Sequence, residues 1–136
     1  MPSAVVPDTG LRAALSAVLT PRVFVRLYRN NLPVLQGSRL TDYQACLFPG
    51  YADIEATSLW SGATIDPAGR AFSAAYNLEW VRGAGGVPEY AYGWLVYYGP
   101  DPGGTLVAGQ LFTVPVYLVN AGQTVLLSLL MYLLRG

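Results

Sequence analysis

The sequence predicts a mainly β fold, an antiparallel β-sandwich of jelly-roll-like kind or a barrel, with a short N-terminal α-helix and an extended N-terminal arm. Three observations predict it. Turn-forming residues recur about every 10–15 residues between aromatic and β-branched runs, the spacing of sandwiches and barrels. Several runs alternate apolar and polar residues with period two, as half-buried strands do. No strand–helix–strand rhythm and no tandem repeat is present. The 136 residues suit one domain, divided as an arm and short helix over 1–20 and a single β-sandwich over 21–136.

The arm, residues 1–7, holds Pro2, Pro7 and the apolar Val5-Val6 pair but no charged side chain, which suits an extended segment. Asp8 or Thr9 caps the helix that follows, and Leu11, Ala14, Leu15, Val18 and Leu19 repeat at helical spacing. Thr20-Pro21 ends it, because the residue before a proline is pushed out of helical geometry. Two or three turns do not hold in water alone, so the leucine stripe must be covered. It packs either on its own sandwich, as a plug at one open end, or on a neighbouring subunit. In the second arrangement Val5, Val6, Leu11, Leu15 and Leu19 form the contact to a subunit or capsid surface.

From Pro21 the period becomes two. Val23, Val25 and Leu27 alternate with Phe24, Arg26 and Tyr28 as a strand, which Asn30-Asn31-Leu32-Pro33 breaks. Residues 32–41 read as a loop. A short strand is expected from Tyr43 to Phe48, stopped by Pro49-Gly50, and another from Tyr51 to Trp60 with Ile54, Ala56 and Leu59 inward. Ser61-Gly62 and Asp66-Pro67-Ala68-Gly69 are turns. Arg70 to Arg82 alternates clearly, with Phe72, Ala74, Tyr76, Leu78 and Trp80 on one face and Ser73, Ala75, Asn77 and Glu79 on the other. Gly83-Ala84-Gly85-Gly86 is a connecting loop. Glu89 to Tyr98 is an aromatic strand with Tyr90, Tyr92, Trp94, Val96 and Tyr98 on one face. Thr105 to Val119 is a strand bent near Pro115, and Thr124 to Leu134 is the last strand, or a buried helix, since leucine-rich runs fit both.

Composition excludes several functions. Eight arginines balance eight acidic residues, and lysine and histidine are absent. A protein living on phosphate neutralisation carries a basic excess, so no nucleic-acid partner is expected. The commonest general base and metal ligand is missing. Cys46 alone forms neither an internal disulfide nor a thiolate zinc site and reads as a small core hydrophobe. No cofactor is expected: Gly83-Ala84-Gly85-Gly86 lacks the lysine of a phosphate-binding loop and leads into a strand. Asp53 and Glu55 share a strand face, which admits a paired-carboxylate hydrolase site but also a solvated face. Met1 to Pro7 has no basic stretch of the secretory type, and the apolar run from Val125 to Leu134 is shorter than the about 20 residues of a membrane helix. No membrane partner is expected. The absence of charge from 102 to 134 leaves apolar surface that needs covering, and self-association follows from it.

The order of motifs adds a resemblance. Val6-Pro7-Asp8-Thr9-Gly10 precedes the leucine helix, Leu27-Tyr28-Arg29-Asn30-Asn31 ends a strand before Pro33, and Thr41, Phe48-Pro49-Gly50-Tyr51-Ala52 and Leu59-Trp60 follow. Over residues 5–119 this resembles a family of small structural proteins of tailed bacteriophages, some of them capsid decoration or cement proteins, others virion or tail-fibre proteins. The positions that carry it are Pro7, Asp8, Gly10, Asn30, Asn31, Pro33, Phe48, Pro49, Gly50, Tyr51 and Trp60. Two departures stand out: Tyr43-Gln44-Ala45-Cys46-Leu47 replaces an acidic Thr-Glu segment, and the last strand is leucine-rich instead of threonine-rich. The resemblance implies a non-enzymatic virion component, assembled in the bacterial host cytoplasm, that bridges major capsid subunits as a homotrimer or other homo-oligomer. The alternative places it at the tail, neck or fibre base, where the aromatic strand contacts a glycan receptor.

Overall fold

In the computed structural model, which describes residues 6–99 and 104–133, seven strands form two antiparallel sheets packed as an open sandwich, not a closed barrel. The helix α1 spans Asp8–Leu19, and the strands are β1 Val23–Tyr28, β2 Ile54–Glu55, β3 Thr64–Ile65, β4 Ala71–Val81, β5 Glu89–Tyr98, β6 Leu106–Leu118 and β7 Thr124–Leu133. One sheet has the order β2-β1-β5-β6, the other β3-β4-β7. The leucine-rich last segment is a strand because its period is two: Val125, Leu129 and Met131 are buried while Leu126, Leu130 and Tyr132 are exposed. No described helix is long and apolar enough to cross a membrane.

The central core lies between the sheets. Val23, Val25 and Leu27 of β1 and Val96 of β5 meet Leu78 and Trp80 of β4 and Val125 and Leu129 of β7. Cys46 and Phe48 complete it from the β1–β2 connection, and Ala56 from just after β2. A second cluster covers the outer side of β1 and β5, where Phe24, Tyr28, Leu95 and Tyr97 pack against Leu40 and Tyr43. The long connection after β1 is folded over this side. Asn30 closes it, donating from Nδ2 to the Asp42 carbonyl (3.0 Å) and accepting the Gln44 amide (2.8 Å). Tyr43 donates to the Pro33 carbonyl at 2.8 Å.

Helix α1 lies on its own sandwich. Leu11, Leu15 and Leu19 are buried against Ala71 of β4 and Met131 of β7. Tyr98 of the other sheet donates to the Val18 carbonyl at 2.6 Å, satisfying one open acceptor at the helix end. The helix begins one residue earlier than a cap at Asp8 or Thr9 requires. Pro7 occupies the cap position without a side-chain hydrogen bond, and Asp8 sits in the first turn, where its charge complements the helix dipole.

Three expectations for strands are corrected. Tyr43–Phe48 is not a strand; only Ala45 bridges Tyr28, beyond the 3₁₀ turn Leu40–Asp42. Tyr51 to Trp60 shortens to Ile54–Glu55, with Leu59 exposed and Trp60 bridging Ala75. The partner of β1 thus comes in two pieces, because the Phe48-Pro49-Gly50-Tyr51 turn leaves the ladder to carry Phe48 into the core. Thirdly, β4 changes phase. Two of its residues, Tyr76 and Asn77, stand opposite the one between Leu127 and Leu129, and Asn77 takes φ 59°. Ala71, Ser73 and Ala75 therefore point inward before this bulge and Leu78 and Trp80 after it, leaving Tyr76 exposed.

Candidate interaction surface

Leu126, Leu130 and Tyr132 of β7 and Tyr76 of β4 gather on the outer side of the three-stranded sheet, exposed at 61, 49, 41 and 61%. The bulge of β4 puts Tyr76 there, since an unbroken alternation would have sent it inward with Leu78 and Trp80. Charge on this face is confined to its ends. The Arg70 guanidinium lies 4.2 Å from the Tyr132 ring centre at one end, and Glu79 stands opposite Leu126 toward the other. Arg70 is already neutralised by Asp66, at 2.7 Å. Beside this face, between β6, β7 and α1, an apolar cleft of about 360 Å³ is lined by Leu15, Tyr98, Val107, Met131 and Leu133. Exposed contiguous apolar surface of this kind marks contact sites in soluble proteins.

The edges of the sandwich differ in character. β2 and β3 are two residues each. β6 is long, but its ladder with β5 slips at two places and contains Pro115. β7 has ten residues, no proline and no charged side chain, and no described residue pairs with its outer edge.

A second exposed cluster is aromatic. Tyr90 stacks near Tyr92 (5.7 Å between ring centres) and Tyr117 (4.6 Å) on the other sheet. Of the aromatic strand's expected face, only Tyr90 and Tyr92 join this cluster; Trp94 packs toward the central core and Tyr98 toward the helix.

The residues expected to touch a partner are divided by the structure. Val5 lies outside the described residues. Val6 is exposed at the start of the chain's described part. Leu11, Leu15 and Leu19 are used inside the fold, so the leucine stripe is not open to a neighbour; small inward residues on β4 leave the room that the helix fills.

The motif positions have mechanical roles. Gly50 adopts φ 85°, a conformation open to glycine, and its amide-side neighbour Pro49 accepts the Gly83 amide at 2.7 Å. A Cβ on Gly86 would stand 2.8 Å from the Pro49 ring, so the glycine loop and the proline turn fit only without side chains there. The buried Arg82 guanidinium holds this loop by donating to the Gly83 and Gly85 carbonyls. Asn31 and Pro33 lie on the surface of the long connection.

Asp53 and Glu55 do not form a catalytic pair. Each carboxylate is bound by its own arginine: Arg22 donates twice to Glu55 (both 3.0 Å), and Arg26 donates to Asp53 at 3.0 Å. The Arg22 hydrogen bond lowers the Glu55 pKa, opposite to what a general acid needs. Asp53 also accepts Tyr51 Oη (2.5 Å) and Tyr97 Oη, while Tyr51 Oη accepts the Leu27 amide at 2.9 Å. This knot of four side chains ties β1, β5 and the proline turn together. It escaped the sequence reading, although Arg22 and Arg26, four apart at β1, and Asp53 and Glu55, two apart at β2, each share one face by even spacing. Among the described residues no group of three acidic or cysteine side chains is placed to hold a metal ion. Cys46 is buried and its thiol pKa is pushed up, which removes nucleophilic thiolate.

Burial raises the pKa of Tyr28 to about 12, and burial followed by the Asp53 hydrogen bond does the same for Tyr97. Tyr51 is shifted upward by burial, then by the charge and the hydrogen bond of Asp53. An unfolded tyrosine loses its proton near pH ~10, so above that pH the unfolded state is favoured. The stabilisation is whole below pH ~10 and is lost as pH rises toward 12. Absorbance titration should therefore show at least these three of the ten tyrosines ionising only as the fold melts. Ten titrating together near pH ~10 with the fold intact would refute the buried knot.

Comparison with protein-family models, with curated proteins and with solved structures finds no match to the chain.

Proposed function

We propose that this chain is a non-enzymatic structural component of a tailed-phage particle, a capsid decoration or cement protein that bridges major capsid subunits and acts as a homo-oligomer in the virion. The observation that carries the reading is the exposed apolar face of the three-stranded sheet, continuous with an uncharged free strand edge. A binder of small molecules concentrates its polar chemistry in a concave site, whereas here the unsatisfied feature is an extended sheet surface. The ordered resemblance to phage structural proteins supplies the setting. Bridging stabilises a shell by mass action, since a protein that binds only the assembled lattice shifts its equilibrium. Mass spectrometry of purified particles from a phage encoding the chain tests this. Copies in the hundreds, and particles that release DNA at lower temperature when the gene is deleted, are the expected result. Absence of the chain from particles refutes it.

The Tyr90, Tyr92 and Tyr117 cluster favours a second reading, a tail, neck or fibre-base protein whose tyrosines contact a glycan. Electron cryo-microscopy of whole particles separates the two. Copies confined to the tail in low tens favour the second reading, and shell-wide copies the first.

A further inference from the structure

We propose that a second copy of this chain pairs antiparallel along the free edge of β7, joining the two three-stranded sheets into one. This deepens the homo-oligomer part of the proposed function and does not depend on the particle. A long, regular, unpaired strand is a template for another strand, and monomeric proteins blunt such edges with charge, proline, bulges or brevity. Each other edge has one of these devices: β2 and β3 are short, and β6 has Pro115 and two slips in register. β7 has none, and the extra residue of its ladder with β4 lies on β4.

The side chains favour the same sequence as occupant, running the opposite way. Antiparallel pairing centred on Leu129 sets Leu126 of one copy opposite Tyr132 of the other on the outer face, and Leu127 opposite Met131 on the inner face. Two apolar stripes become one. Charge does not oppose the pairing: Glu79 stands on β4, one strand in from the seam, and Arg70, just before that strand, is held by Asp66. Length is adequate. Ten strand residues run ~34 Å, and a band about 20 Å deep along them is ~700 Å² per copy, close to the ~800 Å² of a stable interface.

Sedimentation equilibrium of the full chain across the micromolar range tests the pairing, with amide hydrogen exchange at low and high concentration. The expected mass is twice the 14.6 kDa of one chain. Protection of β7 amides should rise with concentration while that of β6 does not. The L126K/L130K variant, changed only at outward positions, should keep its circular dichroism and raise the dimer dissociation constant at least ~100-fold, because the charge at position 126 then faces Tyr132 of the other copy, the apolar stripe is broken and the charges at 126 and 130 of opposite copies stand diagonal to each other across the pair. If that variant does not fold, exchange on the unaltered chain decides alone. A monomer at every concentration, a trimer, or a dimer whose protection lies outside β7 overturns the proposal. A dimer that is absent from particles leaves the pairing intact and removes only the particle reading; a monomer found in particles does the reverse.

Discussion

Asp53→Ala is expected to remove about 3 kcal/mol of folding stability, because breaking a largely buried ion pair strands the remaining charge. Arg26 and Asp53 each keep only 17% of their side-chain surface exposed, so neither is rescued fully by water. The loss does not stop at the pair. Tyr51 and Tyr97 lose their acceptor, and Tyr51 is the acceptor that satisfies the Leu27 amide outside the ladder. Residual access to solvent places the cost at the low end of the ~3–5 kcal/mol seen for such breaks. Tyr97→Phe alone should cost about 1.5–3 kcal/mol, the net worth of one hydrogen bond to a charged group. In the double variant the two losses should fall short of their sum, since the Tyr97 hydroxyl has no acceptor once Asp53 is gone. Urea unfolding of the three variants measures this. A single Asp53→Ala within 0.5 kcal/mol of the parent, the range of ordinary surface changes at roughly ±0.5 kcal/mol, refutes the role given to the knot.

The fold class and most strands were legible because period-two alternation is a direct consequence of burying one face of a sheet. Where that reading failed, a local interaction had overridden the period. β4 was read as one alternating strand, yet Asn77 in the left-handed region inserts an extra residue and reverses inside and outside for its second half. The signal was present, since asparagine tolerates that conformation better than most residues, but one asparagine in an aromatic strand does not announce a bulge. Ser73 looked like a solvent-facing residue. It is buried because its hydroxyl donates to the Ser61 carbonyl across a bridge that sequence spacing does not reveal. Residues 43–60 had strand composition but spend it differently, through Phe48 in the core and Tyr51 on Asp53. The exposed surface followed from these local choices. Lack of charge from 102 to 134 pointed to it in general terms, whereas the identity of β7 as a free edge needed the order of strands in space. The helix leucines were correctly read as a stripe to be covered, and the choice between own sandwich and neighbour depended on small inward residues that only the reversed phase of β4 explains.

Gly93→Ala should be among the most damaging small substitutions in the protein, costing at least ~3 kcal/mol, the upper range for overpacking a core. Gly93 is buried in β5, between Tyr28 of β1 and Leu111 of β6 in the ladder. Its backbone is not in the left-handed region, so conformational freedom is not the reason for glycine. Close approach is. An added Cβ would collide with the Gln110 carbonyl oxygen and stand 2.5 Å from Tyr28 Oη and 2.7 Å from Tyr28 Cζ. The tyrosine cannot swing away cheaply, because its hydroxyl donates to the Leu32 carbonyl at 3.0 Å and its ring meets Tyr43 edge-on at 4.8 Å. The carbonyl belongs to β6 and moves only with that strand. Tyr28→Ala in the same chain should therefore restore little, since it clears the ring and leaves the backbone clash. Gly62→Ala is the control. Nothing lies within 4 Å of its added Cβ, and the unfolded chain loses freedom, so a small gain of about 0.4–1 kcal/mol is expected. Thermal melting of the two alanine variants side by side measures the contrast. Equal melting temperatures would mean that the sheet tolerates a side chain where the packing around Tyr28 leaves no room for one.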